Sequence, residues 1–361
     1  MVGALVDQAD PPSAEQALVA VTSSGRAIDV ITVSDDTAVW WDGPVAHSFD
    51  GLTPDTVHDL DGVEVRTLPR PGGELLCGVA TVNDVHFGET ACGVIDGSDT
   101  GPTFSVPPGA TPYPEVMNAG AIAEITQLAP ATVVVKGDLT SAGTTEEYRR
   151  FEEFYRPAFG HDLMVVRGNH DSYHGGTFAE VPTQLRHLDG VTLAVLDTAR
   201  DHQINGSLSA DQLDWLDSVG ADADRPVLVF GHHNMWNPHV DPRSDHFFGL
   251  RPDDADALAA VFSRRRALCG YFAGHTHRNV AFTIPEVGRA PFVEVSCVKD
   301  FPGAWAEYKV FDGGILQVLH RIAMPDALAW SEPTRAMYGG AYAEYALGKI
   351  SDRNFLIDTA G

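Results

Sequence analysis

The chain has 361 residues, 44% of them hydrophobic, which can bury a proper core and exceeds what one core usually fills. Its 24 Lys and Arg against 50 Asp and Glu give a formal charge of −26, and a surface this acidic disfavours nucleic acid as a partner. No apolar run approaches the ~20 residues of a membrane span, and residues 1–7 lack the basic and apolar stretches of a signal peptide, so a cytoplasmic protein is expected. Cys77, Cys92, Cys269 and Cys297 show no C-x-x-C spacing, which points to buried free thiols in a reducing compartment.

Residues 1–14 read as a loose lead-in. Short β-like runs follow at 18–21, 29–33, 38–41 and 63–66, separated by Ser24-Gly25, Asp42-Gly43 and Asp61-Gly62, which predicts a small β-sandwich within residues 1–70. Leu52-Thr53-Pro54-Asp55-Thr56-Val57-His58 resembles the L-x-P-x-T-x-Y corner of fibronectin type III domains, with His58 in place of tyrosine. Trp40 and Trp41 are neighbours in one strand, so one should face the module's own core and the other outward, against the body or a second subunit. Pro69-Arg70-Pro71-Gly72-Gly73 reads as a linker.

From 74 to 323 strands alternate with helical patterns, the rhythm of a layered α/β fold. Helices are expected over 114–128 and 144–159, and from Ser209, where Gln212 completes a capping box. The irregular Gly/Pro/Asp-rich stretch 87–113 is expected to roof the site. Arg264-Arg265-Arg266 closes a helical stretch, where cations complement the helix dipole. β-like runs return at 291–298, 305–311 and 315–322. The extension 324–361 carries Trp330, Tyr338, Tyr342, Tyr345 and Phe355, too aromatic for a disordered end, and should pack on the body or on a partner subunit, which leaves a homo-oligomer open.

Five pieces of this frame present metal-ligand residues after apolar runs: Asp84-Val85-His86, Gly137-Asp138, Gly168-Asn169-His170-Asp171, Gly231-His232-His233 and Gly274-His275-Thr276-His277. Short continuous apolar runs fit strands buried on both faces, and a ligand just past such a strand lies at its carboxyl end, where layered α/β folds place their sites. Together the five supply enough oxygen and nitrogen donors for two adjacent metal ions, and that points to hydrolysis at phosphorus.

This set, in this order, resembles the calcineurin-like metallophosphoesterase superfamily: D-x-H, GD, GNH(D/E), GH and GHxH. The resemblance implies a layered β-sandwich flanked by helices, with Asp84, His86, Asp138 and His277 on one metal and Asp138, Asn169, His232 and His275 on the other. Two divalent or mixed-valence ions (Mn, Fe, Zn, Co or Ni) would bind a bridging hydroxide that attacks phosphorus. His170 would stabilise the phosphoryl oxygen or protonate the leaving alkoxide, with Asp171 orienting its ring. His233 divides between a role beside the site and a structural one. His174, His239 and His246 are candidates for substrate contact, and Arg278 for phosphate contact.

Ser141 stands where purple acid phosphatases have a tyrosine ligand, and no arginine follows Asp138 as in Ser/Thr protein phosphatases. The combination is closest to bacterial class III cyclic-nucleotide and glycerophosphodiester phosphodiesterases, which implies a small-molecule phosphodiester substrate. A phosphomonoesterase of the same fold and a metal-free scaffold are the alternatives, and a nuclease is disfavoured by the charge.

Overall fold

The computed structural model describes residues 28–94 and 100–359. The strand expected at 18–21 lies outside them. The N-terminal part is all β. A meander of β1 (Asp29–Val33), β2 (Thr37–Asp42) and β3 (Val45–Asp50) is followed by a hairpin of β4 (Val57–Leu60) and β5 (Val63–Arg66). Asp61 and Gly62 turn that hairpin with φ of 57° and 88°, the pair of left-handed residues a two-residue turn of this hand requires. His58 Nε2 stands 2.9 Å from the Thr53 carbonyl, so the histidine makes the backward contact that a corner tyrosine makes elsewhere. β3 has no counterpart among the expected strands: its Val45-Ala46-His47-Ser48-Phe49-Asp50 lies largely exposed and carries little apolar signal.

The two tryptophans part as a pleated strand requires. Trp40 packs with Val30, Leu60, Val63 and Val65 and donates its indole N–H to the Leu60 carbonyl at 3.1 Å. Trp41 and Ile31 instead join the main core. The outward tryptophan is thus covered by the body, at 2% exposure, with the Arg321 guanidinium 4.7 Å from its ring centre.

The body is a sandwich. Its strands are β6 (Leu75–Val82), the short pair β7 (Ala91–Cys92) and β8 (Phe104–Ser105), β9 (Thr132–Lys136), β10 (Leu163–Val166), β11 (Thr183–Leu188), β12 (Val191–Leu196), β13 (Val227–Phe230), β14 (Leu268–Ala273), β15 (Val280–Thr283), β16 (Pro291–Glu294), β17 (Ala304–Phe311), β18 (Gly314–Arg321) and β19 (Phe355–Ile357). One six-stranded sheet runs β10-β9-β6-β17-β18-β19 and the other β11-β12-β13-β14-β16-β15. β6, β9 and β10 are parallel, as are β12, β13, β14 and β16, with antiparallel strands at the flanks. Val79, Val134, Val166, Leu193, Leu228, Phe230, Phe272 and Tyr308 fill the space between the sheets.

Helices Tyr113–Leu128 and Thr145–Phe159 cover the outer face of the first sheet, and Ala210–Asp222 and Pro252–Arg264 that of the second. The capping box at Ser209 and Gln212 is formed, and Thr144 with Glu147 makes another. Arg264 and Arg265 do more than complement a dipole: both grip Asp217 on the neighbouring helix, at 3.0 and 2.6 Å. All four cysteines are free thiols; Cys92, Cys269 and Cys297 are buried as expected, whereas Cys77 is only half-buried. Among the described residues no helix is long and apolar enough to cross a membrane.

The C-terminal extension packs on the body. It contributes helices Pro325–Thr334, Tyr342–Leu347 and Ile350–Arg353, and then β19, which completes the first sheet beside β18. Because Trp41 fills core shared with the body, Trp41→Ala should cost about 3–5 kcal/mol. Urea unfolding checks this, and a midpoint equal to the parent's would contradict a shared core.

Candidate metal centre

The seven expected ligands meet at one end of the sandwich, where the carboxyl ends of β6, β9 and β10 approach those of β13 and β14. Donor atoms of Asp84, His86 and His277 lie within 4.8 Å of one another, as do those of Asp84, Asp138 and His232. His86 Nε2 and His232 Nε2 each stand 3.4 Å from a different oxygen of Asp138, and His277 Nε2 stands 3.4 Å from Asp84 Oδ1. Asn169 Oδ1 lies 3.0 Å from His232 Nε2. Asp138 is therefore the residue with an imidazole on each of its two oxygens.

Sharp backbone turns aim these side chains. Asp84, His86, Asp138, His275 and His277 have φ between 48° and 71°, in the left-handed region that non-glycine residues avoid. Gly137, at φ 85°, shares the turn that delivers Asp138. Gly168 and Gly274 serve by making room. A Cβ on Gly168 would run into Asp138, and one on Gly274 would come 2.6 Å from Asp84 Oδ2.

Hydrogen bonds fix which ring nitrogens face the centre. His232 Nδ1 donates to the Lys136 carbonyl at 2.8 Å, which turns Nε2 inward. His275 Nε2 donates to the Phe248 carbonyl at 3.1 Å. His275 Nδ1 and both ring nitrogens of His86 are buried without a hydrogen-bond partner. Burial, with Lys299 nearby, pushes His86 down to about 4, and burial, with His232 nearby, pushes His275 down to about 3. Both rings are thus neutral at pH 7 with unshared lone pairs, the state in which imidazole binds a metal. Burial opposes protonation of His232, but Asp138 outweighs it and raises this ring to about 9. Burial opposes the charge of Asp84 too, yet His277 holds it well below the usual carboxylate range. The His275 backbone N–H donates to Asp84 at 3.0 Å. Tyr173 accepts from Asn169 Nδ2 at 2.5 Å and so directs the amide oxygen to the centre. Buried orphaned imidazole nitrogens around two carboxylates fit a pair of transition-metal ions.

One expected role needs correcting. Asp171 does not touch the His170 ring: its oxygens accept from the N–H groups of Leu139, Thr140 and Gly168 and from the Thr140 hydroxyl, at 2.6–3.0 Å, so it braces the loop that carries Asp138. Its carboxyl is raised to about 6 by burial and by Asp138. The His170 ring is oriented by Ser141, whose carbonyl accepts from Nδ1 at 2.6 Å. His170 itself lies beside the centre, its ring 4.5 Å from that of His86.

His233 takes the structural role, since Thr198 at 2.8 Å and the Ile204 carbonyl at 3.0 Å occupy both its nitrogens. His174, His239 and His246 do not line the cavity beside the centre, and Arg278 is held by Glu294 at 2.7 Å. The stretch 87–113 supplies no described wall of that cavity either: Cys92, Phe104 and Val106 pack with Tyr113 and Met337 instead. The wall comes from the C-terminal extension, through Tyr338, Ala341, Tyr342 and Tyr345. The 4-and-3 spacing of these tyrosines is helix-like and was the available signal. Lys136, fully buried and lowered to about 7, donates to the Ala273 carbonyl at 2.9 Å and backs Asp84. Neither it nor Tyr173 carries a sequence signature beyond adjacency to a ligand.

Two packed sheets whose strand ends gather carboxylates, an amide and imidazoles define a metallophosphoesterase fold. The chain belongs to the calcineurin-like phosphoesterase family, whose sequence model matches residues 79–279. It is similar to a probable cyclic nucleotide phosphodiesterase of Synechococcus (24% identity, 44% of this chain and 63% of that protein). It is also similar to a cAMP/cGMP dual specificity phosphodiesterase of Mycobacterium tuberculosis (28%, 42% and 49%) and to a probable glycerophosphodiester phosphodiesterase of Arcobacter nitrofigilis (26%, 41% and 57%). The chain thus spans about half to two thirds of the length of these relatives. A dimetal phosphatase from Danio rerio shares the fold, with a TM-score of 0.54 at 15% identity over 69% of this chain and 98% of that one.

Asp138→Ala should abolish binding of both metal equivalents, read by elemental analysis of the purified protein; two retained equivalents would contradict a shared carboxylate. Metal affinity should rise from pH 6 to pH 9, because a cation taking His232 Nε2 must displace a proton that stays bound up to about pH 9. Calorimetric titration in buffers of different ionisation enthalpy would show the released proton, and an affinity flat across this range would contradict it.

Proposed function

We propose that the protein is a dinuclear metal-dependent hydrolase of small phosphodiesters. The observation that carries this reading is the set of buried imidazole nitrogens of His86 and His275 that lack a hydrogen-bond partner and are grouped about Asp84 and Asp138. Asp84, His86, Asp138 and His277 would hold one ion and Asp138, Asn169, His232 and His275 the other, with manganese or iron suited to such oxygen and nitrogen donors. When bound, such a pair supplies a water acidic enough to ionise near neutral pH and positive charge against the phosphoryl oxygens.

The chain's own residues do the rest. Asn169 keeps its amide oxygen inward through Tyr173, and Asp171 fixes the loop of Asp138. His170 presents Nε2 to the cavity while its Nδ1–H is held by the Ser141 carbonyl. That contact fixes the ring with Nε2 toward the cavity, the atom from which a proton would pass to a leaving alkoxide. No lysine or arginine is among the described residues lining the cavity, which suits the single charge of a diester better than the two of a monoester. The names of the bacterial relatives agree with a diester substrate. The four free thiols support a reducing, cytoplasmic setting.

His170→Ala should retain both metals and lose about 10²–10⁴ in rate on esters with alkyl leaving groups. The loss should be much smaller for nitrophenyl esters, whose leaving group needs no proton. Equal losses on the two ester classes would exclude His170 as the acid.

A further inference from the structure

The cavity at the metal centre, about 250 Å³, has two unlike walls. One is the ligand cluster. The other is built of Tyr338, Tyr342 and Tyr345 with Ile204, Phe248 and Tyr173, apart from Ala341 all aromatic or branched apolar side chains. The three C-terminal tyrosines lie beyond the family match, which ends at residue 279.

This wall is tied down. Tyr345 donates its hydroxyl to the carbonyl of Thr276, the residue between His275 and His277, at 2.8 Å. Asn279 Nδ2 donates to the Ala346 carbonyl at 2.7 Å, and Tyr342 donates to Asp300. Tyr338 sits at φ 54°, followed by Gly339 and Gly340 at 68° and 91°, in a turn anchored by Gly339 N–H on the Gly101 carbonyl at 2.8 Å. Tyr342 is fully buried, whereas Tyr338 is half-buried and meets the Tyr342 ring edge to face, at 5.7 Å and 79°.

Rings held rigid beside a phosphate site, with no described basic side chain among them, offer dispersion and stacking to a flat uncharged group and little to a charged or polyhydroxylated one. Arg278 does not alter this, because Glu294 engages it and its guanidinium lies 5.5 Å from the ring centre of Tyr345.

We propose that residues 338–345 form the substrate-selecting wall of this site, and that it receives a flat, uncharged aromatic ring carried by the phosphoester, with Tyr338 as the stacking partner. The inference rests on the phosphoesterase reading only for the position of the phosphate. It divides substrates of the diester class, favouring those bearing a nucleobase or aryl group over those bearing a polyol.

The test is a binding ratio, which needs no turnover. The Mn²⁺-loaded chain is titrated calorimetrically with adenosine 5′-monophosphate and with ribose 5-phosphate, which share a phosphate and a pentose and differ by the base. Adenosine monophosphate should bind roughly ten-fold more tightly, the worth of one base on one aromatic ring. Tyr338→Ala and Tyr338→Leu should each reduce this ratio several-fold, and Tyr338→Phe should preserve it, with metal content unchanged in all three. Equal affinities in the parent protein overturn the proposal. So does a ratio that survives Tyr338→Leu, the bulk-preserving variant. A protein that shows the ratio but cleaves no diester retains the wall and loses the proposed activity, so the two failures are distinguishable.

Discussion

Three carboxylates, those of Asp84, Asp138 and Asp171, are buried at one end of the sandwich, and the local structure answers to that constraint. Buried charges are tolerated only when paired or hydrogen-bonded. Asp171 meets the condition with four donors from its own chain, and burial, with Asp138 nearby, still raises it to about 6. Asp84 and Asp138 meet it differently. Asp84 accepts from the His275 N–H at 3.0 Å and from the Asn83 amide, Asp138 accepts from the His170 N–H at 2.9 Å, and each also has an imidazole nitrogen 3.4 Å away. With the orphaned ring nitrogens of His86 and His275 beside them, these carboxylates form a donor set suited to a pair of cations.

The same constraint accounts for the backbone. A strand ending normally would send its next side chain along the sheet face. Left-handed turns at Asp84, Asp138, His275 and His277 redirect the donors to a common point, at a cost of order 1 kcal/mol or more for each residue. Such strain persists where neighbours over-determine it. Here the loops are laced to one another: Asp84 N–H donates to the Gly137 carbonyl at 3.1 Å, His86 N–H to the Asp138 carbonyl at 2.8 Å, and Gly274 N–H to the His232 carbonyl at 3.0 Å.

How much of this could be read in advance follows from the range of each interaction. The candidate ligands were legible because each lies within four residues of the end of a buried apolar strand, a local pattern repeated five times. The role of Asp171 was not, because sequence adjacency suggested a partner for His170, while the hydrogen bonds that claim Asp171 come from Leu139 and Thr140, about thirty residues away. The roof was misplaced for a similar reason. Irregularity at 87–113 signalled a loop without saying where it packs, whereas the tyrosines that form the wall are brought in by β19 pairing with β18, a contact that begins in the last residues of the chain. Trp41 was half legible: strand alternation fixed that it faces away from Trp40, and only the fold could supply what it faces.

Arg321 joins these distant pieces. Its side chain is fully buried, donating to the Gly43 carbonyl at 3.0 Å, to the Pro302 carbonyl at 3.1 Å and to Glu332 at 2.6 Å, with its guanidinium over Trp41. Gly43 belongs to the N-terminal module, Glu332 to the first helix of the C-terminal extension, and Pro302 follows Asp300, the acceptor for Tyr342. An arginine of the extension itself, Arg335, reaches back to Asp29 in β1 at 2.6 Å. One buried guanidinium therefore couples the module that holds no ligand to the segment that walls the cavity. An unpaired charge at that depth is costly, so these three neighbours constrain one another's positions. The N-terminal module is in this sense part of the frame that fixes the aromatic wall opposite the candidate metal ligands, although none of its described side chains reaches the cavity.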